Sequence, residues 1–188
     1  MLTRYPKEIV SADGIRIILR PVMREDEKSL SEFFSRIPEE ERWFRRHNLA
    51  EPAVLREWIE DLDQGRIIVI VAVNTIDNEI IANVRLHRRP TECLRHLAHL
   101  RIIVDPRYRH RRIGTQILLN IIELAKDMGI EKLVAEFVAG IEETAVKGAR
   151  KLDFFEQAVL KDYVKDSQGN YHDLTIMVKT LHQGMSDF

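Results

Sequence analysis

The sequence predicts a mixed α/β (α+β) fold, one sheet with helices on both faces. Three observations carry this. Seven short segments read as strands and four as amphipathic helices. The helices fall among the strands without strict β–α–β alternation, which points to a mixed rather than an all-parallel sheet. The chain is 188 residues long and 45% hydrophobic, which suits a single domain over residues 1–188 with one sizeable core.

The elements follow in order. Gly14 to Arg20 alternates and is rich in β-branched residues, so it reads as a strand stopped by Pro21. Leu30, Phe33, Phe34 and Ile37 keep helical spacing, and Pro38 ends that helix. Val54, Leu55, Trp58, Ile59 and Leu62 share one face of a second helix, with Pro52 in its first turn. The aromatic pair Trp43–Phe44 between them is expected in the core, with a substrate groove as the other reading. Ile67 to Val73 is an unbroken apolar run between Gly65 and Asn74, short enough for a strand buried on both faces. Asp77–Asn78 turns the chain into a strand over Glu79 to Leu86, and His96 to Val104 is the next, ended by Asp105–Pro106. Ile113, Ile117, Ile121, Leu124 and Met128 mark a long helix stopped by Gly129. Leu133 to Val138 is a strand and Glu142 to Leu152 a helix. Glu156 to Val164 and Leu174 to Thr180 form a hairpin around Ser167–Asn170.

Composition excludes several functions. Twenty-nine basic against 30 acidic residues leave a net charge of -1, which excludes a chain whose whole surface binds nucleic acid or acidic membrane. The longest apolar run, Ile67 to Val73, is far short of the ~20 residues of a membrane helix. The charged N-terminus is unlike a signal peptide, so the expected compartment is the cytoplasm. One cysteine, Cys93, forms no internal disulfide, and no metal-ligand spacing appears. The charge is uneven, however. Residues 85–112 hold nine arginines against Glu92 and Asp105, an excess of seven positive charges offset by eight negative ones elsewhere.

That basic segment leads into a helix. In Ile102 to Leu119 a strand meets a short turn, and the turn opens the long amphipathic helix. The first turn of a helix carries unpaired N–H groups and about half a positive charge. Gly114 lets a ligand approach the backbone, and Arg109, Arg111 and Arg112 add charge there. Basic residues oppose the dipole of an empty helix, and a bound polyanion removes the conflict, so a phosphate-bearing ligand is expected. Neither the P-loop nor the Rossmann glycine spacing is present.

V-D-P-x-Y-R-x-R-x-I-G-T before an aliphatic helix resembles the acyl-CoA-binding motif Q/R-x-x-G-x-G/A of the GNAT superfamily of N-acyltransferases. Arg109 takes its first position and Gly114 its last, while Arg112 replaces the middle glycine. LRPVMREDEKSLSEFF and GARKLDFF look like the acetyltransferase domains of bacterial protein-lysine acetyltransferases. The superfamily's helix motif N-x-x-A-x-x-x-Y-x-K-x-G-F maps onto Glu142, Ala145, Ala149, Lys151, Asp153 and Phe154. Glu142, Ala149 and Asp153 depart from its Asn, Tyr and Gly. The tyrosine commonly protonates the departing thiolate, and alanine in its place is frequent in the protein-acetylating branch.

The resemblance implies a mostly antiparallel sheet of six to seven strands with about four helices, and acetyl-CoA as the acyl donor without a metal. It implies donor contacts from Ile102, Ile103, Val104, Arg109, His110, Arg111, Arg112, Ile113, Gly114, Thr115 and Glu142. The reaction is direct transfer. A base takes the amine's proton and a backbone N–H, placed at Val104, polarises the carbonyl. The protein-acetylating branch has a glutamate base where this chain has His99, a residue type competent near neutrality but equally at home as a structural histidine. Glu136 is the reserve base, and its alternation with Phe137 decides which face it occupies. Tyr163, Tyr171 and Asp173 border the acceptor side by resemblance, though Tyr163 on its own reads as packing and Tyr171 as surface.

The leading acceptor is an amine on a protein lysine. A small-molecule amine and a non-catalytic acyl-CoA-binding regulator are the alternatives, with no nucleic-acid or membrane partner and a monomer or homodimer expected.

Overall fold

Strand pairing in the computed structural model, which describes residues 2–44, 67–88 and 91–181, builds one eight-stranded sheet. In chain order the elements are β1 (Lys7–Val10), β2 (Arg16–Pro21), α1 (Glu27–Ser35), α2 (Glu39–Trp43), β3 (Ile67–Asn74), β4 (Ile80–Arg88) and β5 (Leu97–Val104). They continue with α3 (Ile113–Asp127), β6 (Lys132–Val138), α4 (Glu143–Arg150), β7 (Phe155–Lys165) and β8 (Tyr171–Thr180). The spatial order is β1-β2-β3-β4-β5-β6-β8-β7. Every neighbour pair is antiparallel except β5 and β6, which run parallel. Among the described residues no helix is long and apolar enough to cross a membrane.

The sheet separates two cores. On one face α3 and α4 cover Ala82, Val84, Leu86, Ala98 and Leu100, with Ile113, Ile117, Ile121, Ala149 and Phe154 packed among them. On the other face α1 inserts Leu30, Phe33, Phe34 and Ile37 against Val69, Val71, Val73 and Ile103. β3 contributes to both, through Ile70 and Ala72 on one side and Val69, Val71 and Val73 on the other, as its unbroken apolar run predicts. α3 ends where expected: Gly129 takes a left-handed φ of 71° and the Ile130 N–H returns to the Ala125 carbonyl.

Five expectations are corrected or bounded. The sheet has an eighth strand, β1, whose four residues bury only Ile9 and so carry no alternation of their own. Pro38 separates α1 from α2, and Glu39, Glu40 and Glu41 favour the new helix start. The helix expected over Pro52 to Leu62 lies outside the described residues. Trp43 is half exposed rather than core, and its indole Nε1 donates to the Lys165 carbonyl (2.8 Å) while Phe44 meets His172 edge-on. Tyr163, expected to pack, is 63% exposed, because β7 is the sheet's outer edge.

Candidate active site

The parallel joint between β5 and β6 is short. Leu97, Ala98 and His99 pair with Lys132, Leu133 and Val134, and the two strands then part. β5 stays paired with β4 through Val104, and β6 with β8 through Val138, so a wedge opens between them. The backbone direction along β5 is fixed at both ends. The His96 carbonyl accepts from the Lys132 N–H on the β6 side, and the Asp105 N–H donates to the Ile81 carbonyl on the β4 side. Alternation therefore turns the backbone groups of Leu100, Ile102 and Val104 into the wedge.

The two margins of the wedge differ. On β6 the Val138 N–H donates to Glu142 Oε2 (2.9 Å), and the Glu136 carbonyl accepts from Arg101 Nη1 (2.8 Å). On β5 the Val104 carbonyl accepts from Arg109 Nε (3.1 Å), but among the described residues no strand pairs with Ile102 or Val104 on the β6 side. One margin is closed by side chains, and the other presents donors.

Beyond Val104 the chain enters a braced loop. Asp105 is fully buried, accepts from the Arg107 N–H and holds Arg36 Nε at 2.7 Å, which ties α1 to the end of β5. Burial raises the Asp105 carboxyl pKa, but the hydrogen bonds from Arg107 and Arg36 outweigh it and hold the group below the ordinary aspartate value. His110 and Arg112 then take left-handed φ values of 62° and 60°. Arg112 is the N-cap of α3 and its side chain makes no capping hydrogen bond, and the N–H groups of Ile113, Gly114 and Thr115, in the first turn, have no intrahelical acceptor. A methyl at Gly114 would meet only Val104 Cγ2, at an ordinary 3.6 Å, so the protein itself does not require glycine there.

The arginines at this end are less alike than their spacing suggests. Arg109 makes a two-point pair with Glu41 of α2 (2.8 and 2.7 Å), and Arg111 pairs with Asp13 in the β1–β2 turn. Arg112 and His110 are exposed. Ile103 and Ile113 are core side chains, leaving their backbone as the part near the loop. Glu142 faces the wedge at the foot of α4, 4.0 Å from Arg101.

Glu136 and Phe137 divide as alternation requires. Phe137 packs on the α3 side, and Glu136 lies on the opposite face, with Oε1 3.7 Å from His99 Nδ1. Both candidate bases thus meet at the apex of the wedge. Ala149 is buried against the core and leaves no hydroxyl there. Tyr163 and Tyr171 are exposed on the outer hairpin, while Asp173 is occupied by Lys161 and the Asp162 N–H. Arg101 and Glu41 were not singled out from the sequence. The signal for Arg101 was its period-two spacing from His99; Glu41 had none, since its partner is distant in the chain. Among the described residues no cluster of His, Cys, Asp or Glu suits a metal.

Comparison with known proteins agrees with this fold. The acetyltransferase (GNAT) family matches residues 28–154. No curated protein matches the chain. Among solved structures it is similar to a ribosomal-protein-alanine N-acetyltransferase from Brucella melitensis (TM-score 0.73, 23% identity, covering 87% of this chain and 99% of that one). It is similar to a ribosomal-protein-S5-alanine acetyltransferase from Vibrio fischeri (0.75, 18%, 92% and 97%). A phosphinothricin acetyltransferase from Sinorhizobium meliloti, solved with acetyl-CoA, is also similar (0.75, 18%, 92% and 92%). With the family matched over most of its length, and the strand order and parted parallel joint described above, the chain belongs to the GNAT family of acetyltransferases.

Proposed function

We propose that the chain is an acetyl-CoA-dependent N-acetyltransferase whose leading acceptor is the side-chain amine of a protein lysine. The observation that carries this is the wedge between β5 and β6, with donors on one margin and an uncapped helix N-terminus at its mouth. These features fit acetyl-CoA. The N–H groups of Ile113 to Thr115, with Arg112, suit its pyrophosphate, and Gly114 leaves that approach open. The Ile102 and Val104 N–H groups suit an extended amide chain laid beside β5. Acetyl-CoA supplies the acetyl group as an activated thioester.

The chain's own residues then have separate tasks. His99 and Glu136 form the proton-accepting pair: His99, or a water it holds, takes the proton that an incoming ammonium must lose, and Glu136 orients the imidazole. Strand spacing favours one backbone donor over the other. Ile102 lies about 10 Å along β5 from His99, and Val104 about 17 Å. One water spans the first separation together with the reach of an imidazole, but not the second. Ile102 is therefore the better candidate to polarise the carbonyl, and Val104 a donor to the more distant part of the cosubstrate. Ala149 leaves the departing thiolate to take its proton from water. We place the protein in the cytoplasm, where an exposed free thiol such as Cys93 persists reduced.

Incubation with acetyl-CoA and a panel of lysine peptides and small amines, read by mass spectrometry, tests this. Acetylated lysine with matching release of free CoA is expected. Folded protein that acetylates nothing overturns the reading.

A further inference from the structure

Where the wedge opens, two side chains take the place of a rung of the ladder. In a parallel pair, a residue whose backbone faces the other strand spends its N–H and its carbonyl on two residues there, two positions apart. The His96 carbonyl accepts from the Lys132 N–H, and Ala98 stands against Leu133 in register. Two steps of the same pattern reach Ile102 against Phe137. On that rung the Ile102 N–H would donate to the Glu136 carbonyl, and the Val138 N–H would donate to the Ile102 carbonyl. The register ends at His99 and Val134, so the rung is missing. Both of its β6 groups are nevertheless held. Arg101 Nη1 donates to the Glu136 carbonyl (2.8 Å), and Glu142 Oε2 accepts from the Val138 N–H (2.9 Å).

The two substitutes come from opposite sides of the wedge. Arg101 belongs to β5 and neighbours Ile102, and Glu142 is the N-cap of α4. Arg101 Nη2 lies 4.0 Å from Glu142 Oε2, and the two side chains are only 22% and 23% exposed. A shielded carbonyl or N–H without a partner is costly, and the backbone partner for both groups is Ile102. With each supplied by a side chain, β6 gains nothing by closing on Ile102.

We propose that Arg101 is a positioning residue: with Glu142 it stands in for the missing rung, keeps β5 and β6 parted at Ile102, and so reserves the Ile102 N–H for the acyl carbonyl of the cosubstrate. Arg101 acts through Ile102 and touches no reacting atom. Its bond to the Glu136 carbonyl also fixes the stretch of β6 that holds the Glu136 carboxylate beside His99. This inference rests on the acetyltransferase reading and adds how its wedge is kept open.

Amide hydrogen exchange at Ile102, followed by NMR on the whole protein, tests it. Without ligand, the wild-type Ile102 N–H is expected to exchange at least about tenfold faster than the ladder-held Ala98 N–H, and to slow when acetyl-CoA is added. In Arg101→Met the vacated Glu136 carbonyl is expected to draw in the Ile102 N–H. Its exchange without ligand then slows by about tenfold, and kcat falls by about tenfold or more. Arg101→Lys keeps a donor for that carbonyl and is expected to return both toward wild type. A merely structural tie, once cut, would loosen the strands and speed the exchange. Ile102 exchange in Arg101→Met that matches or exceeds the wild-type rate overturns the proposal. So does a wild-type Ile102 N–H as slow as that of Ala98, a comparison that decides even if Arg101→Met fails to fold. Folded wild type that binds no acetyl-CoA in calorimetry overturns the acetyltransferase reading, while the exchange rates without ligand still test the spacer.

Discussion

Arg112 and Asp153 stand where the family's two motifs carry glycine, and both keep a glycine's backbone, with φ of 60° and 59°. Left-handed φ costs a non-glycine residue roughly 1 kcal/mol. Arg112→Gly and Asp153→Gly are therefore each expected to stabilise the apo protein by up to about 1 kcal/mol, a rise of about 2–4 °C in Tm by thermal unfolding. A fall in Tm for both would show that their side chains do more than occupy the turn. Arg112→Gly is also expected to weaken acetyl-CoA binding, because an exposed charge at the helix start is lost, while Asp153→Gly leaves it unchanged. At the apex, His99→Ala and Glu136→Gln are expected to lower kcat by about tenfold to a thousandfold with little change in the KM for acetyl-CoA. If kcat at neutral pH is unaffected by both, the proton leaves by another route. His99 was legible as a candidate because it stands where the resembled branch carries its glutamate base, and Glu136 because it interrupts the apolar run Leu133 to Val138. That they meet was not, because the contact depends on which strands pair in parallel.

The loop between β5 and α3 is held by ion pairs to three other parts of the chain: Arg36 at the C-cap of α1 on Asp105, Glu41 of α2 on Arg109, and Asp13 of the β1–β2 turn on Arg111. The basic stretch was legible, but its partners were not, since each lies far off in the chain. Asp105 is the central one. Removing its charge leaves Arg36 and Arg107 facing a neutral buried group, so Asp105→Asn is expected to cost about 3–5 kcal/mol in urea unfolding. Its pKa is lowered on folding, so the stabilisation is complete above the unfolded value of about 3.9 and is lost as pH falls through the lower folded value. The wild type is therefore expected to lose more stability between neutral pH and acid than Asp105→Asn, and parallel losses would contradict the assignment. Arg109→Ala with Arg111→Ala breaks two partly exposed pairs, worth about 0–1 kcal/mol each, and is expected to reduce acetyl-CoA affinity by more than that. Gly114→Ala separates ligand from fold most cleanly. The added methyl meets an ordinary contact, so stability is expected to hold or rise while acetyl-CoA affinity falls.

At the scale of the molecule, the order of strands and helices along the chain and the mixed sheet with helices on two faces were legible, because periodicity belongs to each segment by itself. Residues 67–73 had to be a strand buried on both faces, and the structure places their side chains in both cores. The wedge was not legible. It arises because β5 follows β4 while β6 follows β8 after only three shared pairs, and no residue type marks where two strands stop pairing. Of the edge strands, β1 escaped the sequence reading through its shortness, while β7 was legible as one arm of the hairpin over Glu156 to Val164. The central claim is that this wedge and the uncapped start of α3 together hold acetyl-CoA, and calorimetric titration of acetyl-CoA into the folded protein tests it most directly. Saturable binding in the micromolar range is expected, weakened by Gly114→Ala at undiminished Tm. Folded wild-type protein that takes up no acetyl-CoA would contradict it.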